Sequence, residues 1–183
     1  MAKMKAHRSY ELQEYNSEWK RRFLEAQKIL EPIFGGNLVE LDHVGSTSIE
    51  GMVAKSQVDI LAVVKDLDLV KDGYRDFARV GFVSRGRGYV AADDEYLTKD
   101  SPEGRRLVSV HTLQKGNPKI AEYKMFRDYL KVNKKDRQFY IKTKRELYSK
   151  HHDNYAGYDS GKKEAIDAIK ARAREWIRKN SLL

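Results

Sequence analysis

The sequence predicts an α+β fold, and three observations predict it. Strand-like runs gather in the first two thirds of the chain, and helical periodicity fills the last third. The two clearest strands, 38–44 and 58–64, flank a short loop of small and hydroxyl residues with no room for a long helix. The second of them carries one charge, Asp59, inside an apolar run. A carboxylate there is costly unless it is paired or ligates a cation.

The elements follow in order. Asn16 or Ser17 is expected to cap a first helix whose face is Trp19, Phe23, Ala26, Leu30 and Ile33, with Pro32 kinking or ending it. Gly35, Gly36 and Asn37 make the turn into strand 38–44. After strand 58–64, Asp66 caps a helix with Leu67, Val70, Tyr74 and Phe77 inward, closed by Gly81. A strand starts at Phe82 and Val83, Arg85–Gly86–Arg87–Gly88 reads as a turn, and a further strand surrounds Tyr89. Residues 93–105 are polar and read as an exposed loop or hairpin connection, and 107–113 is a strand carrying His111. Asn117 and Pro118 start a helix running to Val132, with Tyr123, Phe126 and Leu130 inward. The next helix shows Phe139, Thr143 and Leu147 at helical spacing, and its basic residues between Lys131 and Lys150 read as a solvated face. Residues 155–161 read as a loop. Ser160 then caps a last helix with the face Ile166, Ile169, Ala173, Trp176 and Ile177.

Composition narrows the function. At 183 residues the chain is read as one domain, 1–183, large enough to need no covalent staple. It has no cysteine, which excludes disulfides and thiolate metal sites. Residues 1–8 are basic but lack the apolar stretch of a signal sequence, and no run is long and apolar enough to span a bilayer. The expectation is a cytoplasmic protein with no membrane partner. A net charge of +9 favours anionic partners, whether nucleotides, phosphorylated small molecules or nucleic acid, though it also serves solubility alone. Nucleic acid is the less favoured partner: Arg85 and Arg87 invite it, but no aromatic-interleaved basic strand or helix-turn-helix is legible.

The loop between the two strands carries the chemistry. Gly45 and Ser46 end the first strand, and Asp59 follows Ser46 by thirteen residues. Met52 follows Gly51, so this is not a Walker A loop. The spacing matches the nucleotidyltransferase signature, in which a Gly-Ser turn holds phosphates and strand carboxylates hold Mg²⁺ beside them. Residue 61, where the second carboxylate belongs, is Leu, which leaves Asp59 as a weak metal ligand. Asp59 also fits a structural role, bonded to nearby backbone or to Lys55.

Four stretches, H-V-G-S-T-S-I-E-G, A-K-S-Q-V-D-I-L, F-R-D-Y-L and Y-D-S-G-K, together resemble the GrpB family over roughly residues 10–180. The resemblance implies a nucleotidyltransferase-like mixed sheet backed by helices with a helical C-terminal third. The same domain is found fused to some dephospho-CoA kinases. Residue by residue it selects His43, Gly45, Ser46, Thr47 and Ser48 in the loop, Lys55 and Asp59, His111, then Arg127, Asp128 and Tyr129, and Lys162. Two positions depart from it: Glu50 replaces a proline, and Ser109 replaces the first histidine of an H-x-H strand.

The expected roles are these. Asp59, His43 and His111 are the candidate catalytic residues, and Gly45, Ser46, Thr47, Ser48, Lys55 and Lys162 the phosphate-binding ones. Mg²⁺ on Asp59, or a Zn²⁺, Mn²⁺ or Fe²⁺ ion on His43, His111 and Asp59, is the candidate cofactor; a satisfied polar cluster is the competing reading. Arg127 and Asp128 read as an ion pair locking helix to sheet. The function expected is nucleotide or phosphometabolite binding, with nucleotidyl transfer to an unknown acceptor as its active form. A binding module that has lost chemistry is the alternative, and RNA binding the less favoured third.

Overall fold

The computed structural model describes residues 10–90 and 92–180. The basic stretch 1–8 lies outside them. Five strands form one mixed sheet: β2 (Leu38–Val44), β4 (Val58–Val64), β5 (Val83–Arg87), β6 (Glu95–Asp100) and β7 (Arg106–Gln114), in the spatial order β2-β4-β7-β6-β5. The central pair β4 and β7 is parallel and every other pairing is antiparallel. A separate two-residue pairing joins β1 (Leu12–Gln13) to β3 (Ala54–Lys55).

Alternation along β4 decides the two faces. Val58, Ile60, Ala62 and Val64 point toward α1 (Glu18–Phe34) and the short α2 (Tyr74–Arg79), packing with Trp19, Leu30, Phe34 and Phe77. Leu61 and Val63 point the other way and pack with Val44 and Leu113 beneath Ile120 and Tyr123 of α3 (Pro118–Val132). A third apolar cluster joins Ile49, Met52 and Val53 to α3, α4 (Lys134–His151) and α6 (Lys163–Asn180) through Leu130, Tyr140, Ile141 and Ile169. The C-terminal helices therefore pack on the segment between β2 and β4, and this fixes the loop that carries the motif.

Caps behave largely as the side chains require. Asn117 accepts from the Lys119 N–H and Asn133 from the Asp136 N–H, each at 2.9 Å. Pro32 sits in the last turn of α1, which ends two residues later.

Several elements differ from the sequence expectation. Arg85–Gly86–Arg87 is strand, not turn, with an irregular register against β6, and Tyr89 lies in the turn that follows. The expected loop at 93–105 contains β6, because its polar residues are satisfied inside: the Glu95 carboxylate accepts from the hydroxyls of Tyr74 and Ser84 at 2.7 and 2.6 Å. Residues 155–161 form a helix, α5 (Tyr155–Gly161), opened by Asn154, whose side chain accepts from the Gly157 N–H. Ser160 lies inside that helix and does not cap α6, whose buried face is Ala165, Ile169 and Ala173, with Trp176 and Ile177 partly exposed. The inward face of α4 is Tyr140, Ile141 and Lys144, not Phe139, Thr143 and Leu147.

Candidate functional site

The C-terminal end of β2 and the N-terminal ends of β4 and β7 meet at one end of the sheet. Gly45 leaves β2 at φ +69° into a single 3₁₀ turn, Ser46–Ser48. A Cβ at Gly45 would stand 2.6 Å from Asp59 Oδ2, so both the backbone angle and the close approach require glycine. The turn presents Ser46 to a cleft of about 700 Å³ that Asp59, His111, Lys55, Lys144 and Lys162 also line.

Three lysines converge there. Lys55, on β3, donates to the Tyr155 hydroxyl at 2.8 Å and lies 4.2 Å over that ring. Lys162, between α5 and α6, pairs with Asp159 at 3.0 Å and covers the Tyr158 ring. Lys144, from the middle of α4, is 3% exposed. Its Nζ donates to Ser46 Oγ at 2.5 Å and to the Val53 carbonyl at 2.8 Å, and lies 4.6 Å over the Tyr140 ring. Burial, with Lys162 and Lys55 adding to it, holds its ammonium well below the usual lysine range, while Asp59 works weakly the other way.

Asp59 and His111 open on the same cleft as Ser46. Asp59 Oδ1 accepts from the Gln57 amide at 2.8 Å, and the same amide donates to Ser109 Oγ at 3.0 Å. Ser109 also accepts from the Tyr96 hydroxyl at 2.8 Å. The residue that departs from the family's H-x-H strand is thus a buried hydrogen-bonding hydroxyl next to Asp59. His111 lies between the rings of Tyr96 and Tyr123, and its Nδ1 is 3.8 Å from the Asp94 carboxylate. Along the far wall Arg85 and Arg106 both pair with Asp100; Arg87, which does not line the cleft, pairs with the exposed Asp68. These pairings engage the Arg85 and Arg87 side chains within the fold.

His43 is the main correction. It lies opposite Ile60 in the β2–β4 ladder, so its ring faces α1 and not the cleft. It stacks on Phe23 at 4.9 Å and contacts Thr47 Oγ1 at 3.0 Å. Thr47 lines both the cleft and a second groove on the α1 side, whereas Ser48 lines that groove alone and bonds back to the Gly45 carbonyl at 2.6 Å. Arg127 pairs with Asp128 at 2.7 Å, but that pair lies within α3, and Arg127 locks helix to sheet through Asp42 of β2 at 2.8 Å.

Burial pushes the His43 pKa down to about 4, with Lys131 and Arg127 adding to the shift and Asp59 opposing it. From pH 6.5 down to that value an unfolded chain takes up a proton at this site and the folded chain does not. Stability therefore falls with pH across that window, by about 3 kcal/mol at most. His43→Gln is expected to flatten the decline of Tm between pH 6.5 and 4; an unchanged decline contradicts the assignment.

The structure does not bring the three expected metal ligands together. His43 stands on the opposite face from Asp59 and His111. Leu61 is fully buried among Val44, Val63 and Leu113, and Asp59 already accepts from Gln57. Among the described residues no three His, Asp or Glu side chains are grouped so as to hold an ion.

Sequence reasoning missed Lys144, Gln57 and the tyrosines of α5. Lys144 had a signal: it is spaced from Tyr140 and Ile141 as one helical face requires.

The family model described as GrpB protein matches residues 9–172. The UPF0157 protein YqkA of Bacillus subtilis is 31% identical over 169 residues, which is 92% of this chain and 48% of the relative; the chain thus spans about half of that protein. The crystal structure of the conserved protein GrpB from Enterococcus faecalis superposes with a TM-score of 0.84 at 29% identity, covering 91% of this chain and 99% of that one. A structure of Cid1 in complex with its short product ApU superposes with a TM-score of 0.52 at 14% identity, covering 81% of this chain and 48% of that one, and shows a shared nucleotidyltransferase fold.

Proposed function

The chain belongs to the GrpB family, and on that premise we propose that the cleft at Gly45, Ser46 and Thr47 binds the phosphate groups of a nucleotide or phosphorylated metabolite. The convergence of Lys55, Lys144 and Lys162 on the Ser46 turn carries this reading. Lysines crowded at one end of a cleft disfavour one another's charged forms, and a bound polyanion relieves that repulsion. The Gly45–Ser46 turn and Lys55 and Lys162 hold phosphate oxygens. The tyrosine wall of Tyr89, Tyr96 and Tyr123 is left for an aromatic or apolar portion of the ligand. Transfer of a nucleotidyl group to an acceptor hydroxyl is the activity that agrees with the likeness to Cid1, and Asp59 and His111 are a carboxylate and an imidazole that line the same cleft. Leu61 favours a second reading, a binding module without two-metal chemistry, because no side chain at that position can hold an ion.

Thermal unfolding of the protein with nucleoside mono-, di- and triphosphates and coenzyme A precursors tests the proposal. A ligand at a hundred times its Kd adds about 2.7 kcal/mol, roughly 5–10 °C for a chain of this size. Lys162→Met is expected to remove more than half of that rise. No rise with any of these ligands contradicts the reading. Binding of RNA alone, lost steeply with salt, would replace it.

A further inference from the structure

We propose that Ser46 and Lys144 form a nucleophile and base, so that the cleft passes a nucleotidyl group through a covalent phosphodiester on Ser46. The inference rests on the reading of the cleft as a phosphate site and adds a reaction to it.

A serine that only cradles phosphate has no need of a buried amine behind it. Here the amine comes from α4, ninety-eight residues along the chain, and contacts Ser46 Oγ at 2.5 Å. Among the described residues Lys144 makes no ion pair. The charged and titratable groups around it are Lys55 from β3, Asp59 from β4, Tyr140 from its own helix, Tyr158 and Asp159 from α5, and Lys162 beyond α5. Of these, Asp159 is engaged with Lys162. An ammonium so enclosed is disfavoured, and the neutral amine fits the contacts better. One N–H donates to the Val53 carbonyl and fixes the group; in the neutral amine the contact with Ser46 reverses, so that the lone pair accepts from the Ser46 hydroxyl. Nucleophile and base stand within hydrogen-bond reach, and a third group orients the base. Lys55 and Lys162 line the same cleft, where charge develops on a reacting phosphoryl group.

The reaction balances in two steps. Ser46 Oγ bonds to phosphorus as the bond from phosphorus to the leaving oxygen breaks; the Ser46 proton moves to Lys144 Nζ and from there to the leaving oxygen. Water or an acceptor hydroxyl then attacks phosphorus, the Ser46–phosphorus bond breaks, and the attacking proton returns through Lys144 to Ser46 Oγ.

The probe is the p-nitrophenyl ester of thymidine 5′-phosphate, with thymidine 5′-phosphate itself as the binding control. The wild type is expected to raise its Tm with the control, to release p-nitrophenol in a burst of one equivalent, and to gain one thymidylyl mass at Ser46. Ser46→Ala is expected to lose the adduct. Lys144→Arg, which keeps the charge but has no lone pair to offer, and Lys144→Met are expected to slow the burst at least 100-fold. If either Lys144 variant fails to fold, the wild-type burst decides: its rate is expected to rise with pH to a plateau reached below the usual lysine range. Binding of the control without any adduct, an adduct that survives Lys144→Arg and Lys144→Met, or a burst rate flat with pH overturns the dyad and leaves the phosphate site standing. No Tm rise with the control and no adduct removes both.

Discussion

Leu61→Asp is expected to unfold the protein rather than create a metal site. Asp59 and Leu61 share a strand face, and sequence spacing alone makes residue 61 the natural home of a second carboxylate. The face changes character between the two. Asp59 lines the cleft, whereas Leu61 is fully buried against Val44, Val63 and Leu113 under Tyr123. A carboxylate there is buried among apolar side chains beside the carboxylate of Asp42, its cross-strand neighbour, and burying such a charge belongs to the rare substitutions costing about 4–5 kcal/mol or more. That approaches the whole stability of many domains. Circular dichroism and urea unfolding check it: the variant should be unfolded or shifted to far lower urea. A folded variant that gains Mg²⁺-dependent nucleotide affinity would contradict the placement of Leu61 in the core.

Gly45→Ala is expected to cost about 2–4 kcal/mol and to abolish ligand binding. Roughly 1–2 kcal/mol comes from holding an L-residue at positive φ. The remainder comes from a methyl group set 2.6 Å from Asp59 Oδ2, which must move the carboxylate, the turn or both. Because the clash is with one side chain, Asp59→Ala in the same chain should return part of the loss. A double-mutant cycle by urea unfolding is expected to show coupling of about 1 kcal/mol or more between the two positions. Strict additivity would mean that the two residues do not meet.

The strand pair and its loop were legible because they obey local rules. Strands β2 and β4 begin and end where their apolar runs do, and Gly45, Ser46 and Asp59 meet because a short connection between antiparallel neighbours brings their ends together. His43 was misplaced by the same alternation that placed Asp59: closeness in sequence does not give the face. β6 was illegible because its polar residues are satisfied from elsewhere, Glu95 by Tyr74 and Ser84, so they read as solvent-facing. Lys144 was lost to a choice of phase along α4. The stripe through Phe139 and Leu147 looks apolar, but Tyr140, Ile141 and Lys144 face inward, and the lysine amine on that inward face closes the candidate site.

The most direct test of the phosphate cleft is a crystal structure of the protein grown with inorganic pyrophosphate. The account predicts pyrophosphate density within hydrogen-bond distance of Ser46 Oγ and of the Lys55 and Lys162 ammonium groups. Those lysines should exchange their contacts with Tyr155 and Asp159 for the anion. Pyrophosphate found only elsewhere, such as in the groove beside Lys20, His43 and Lys131 along the β2 edge of the sheet, with the Ser46 turn bare, would contradict it.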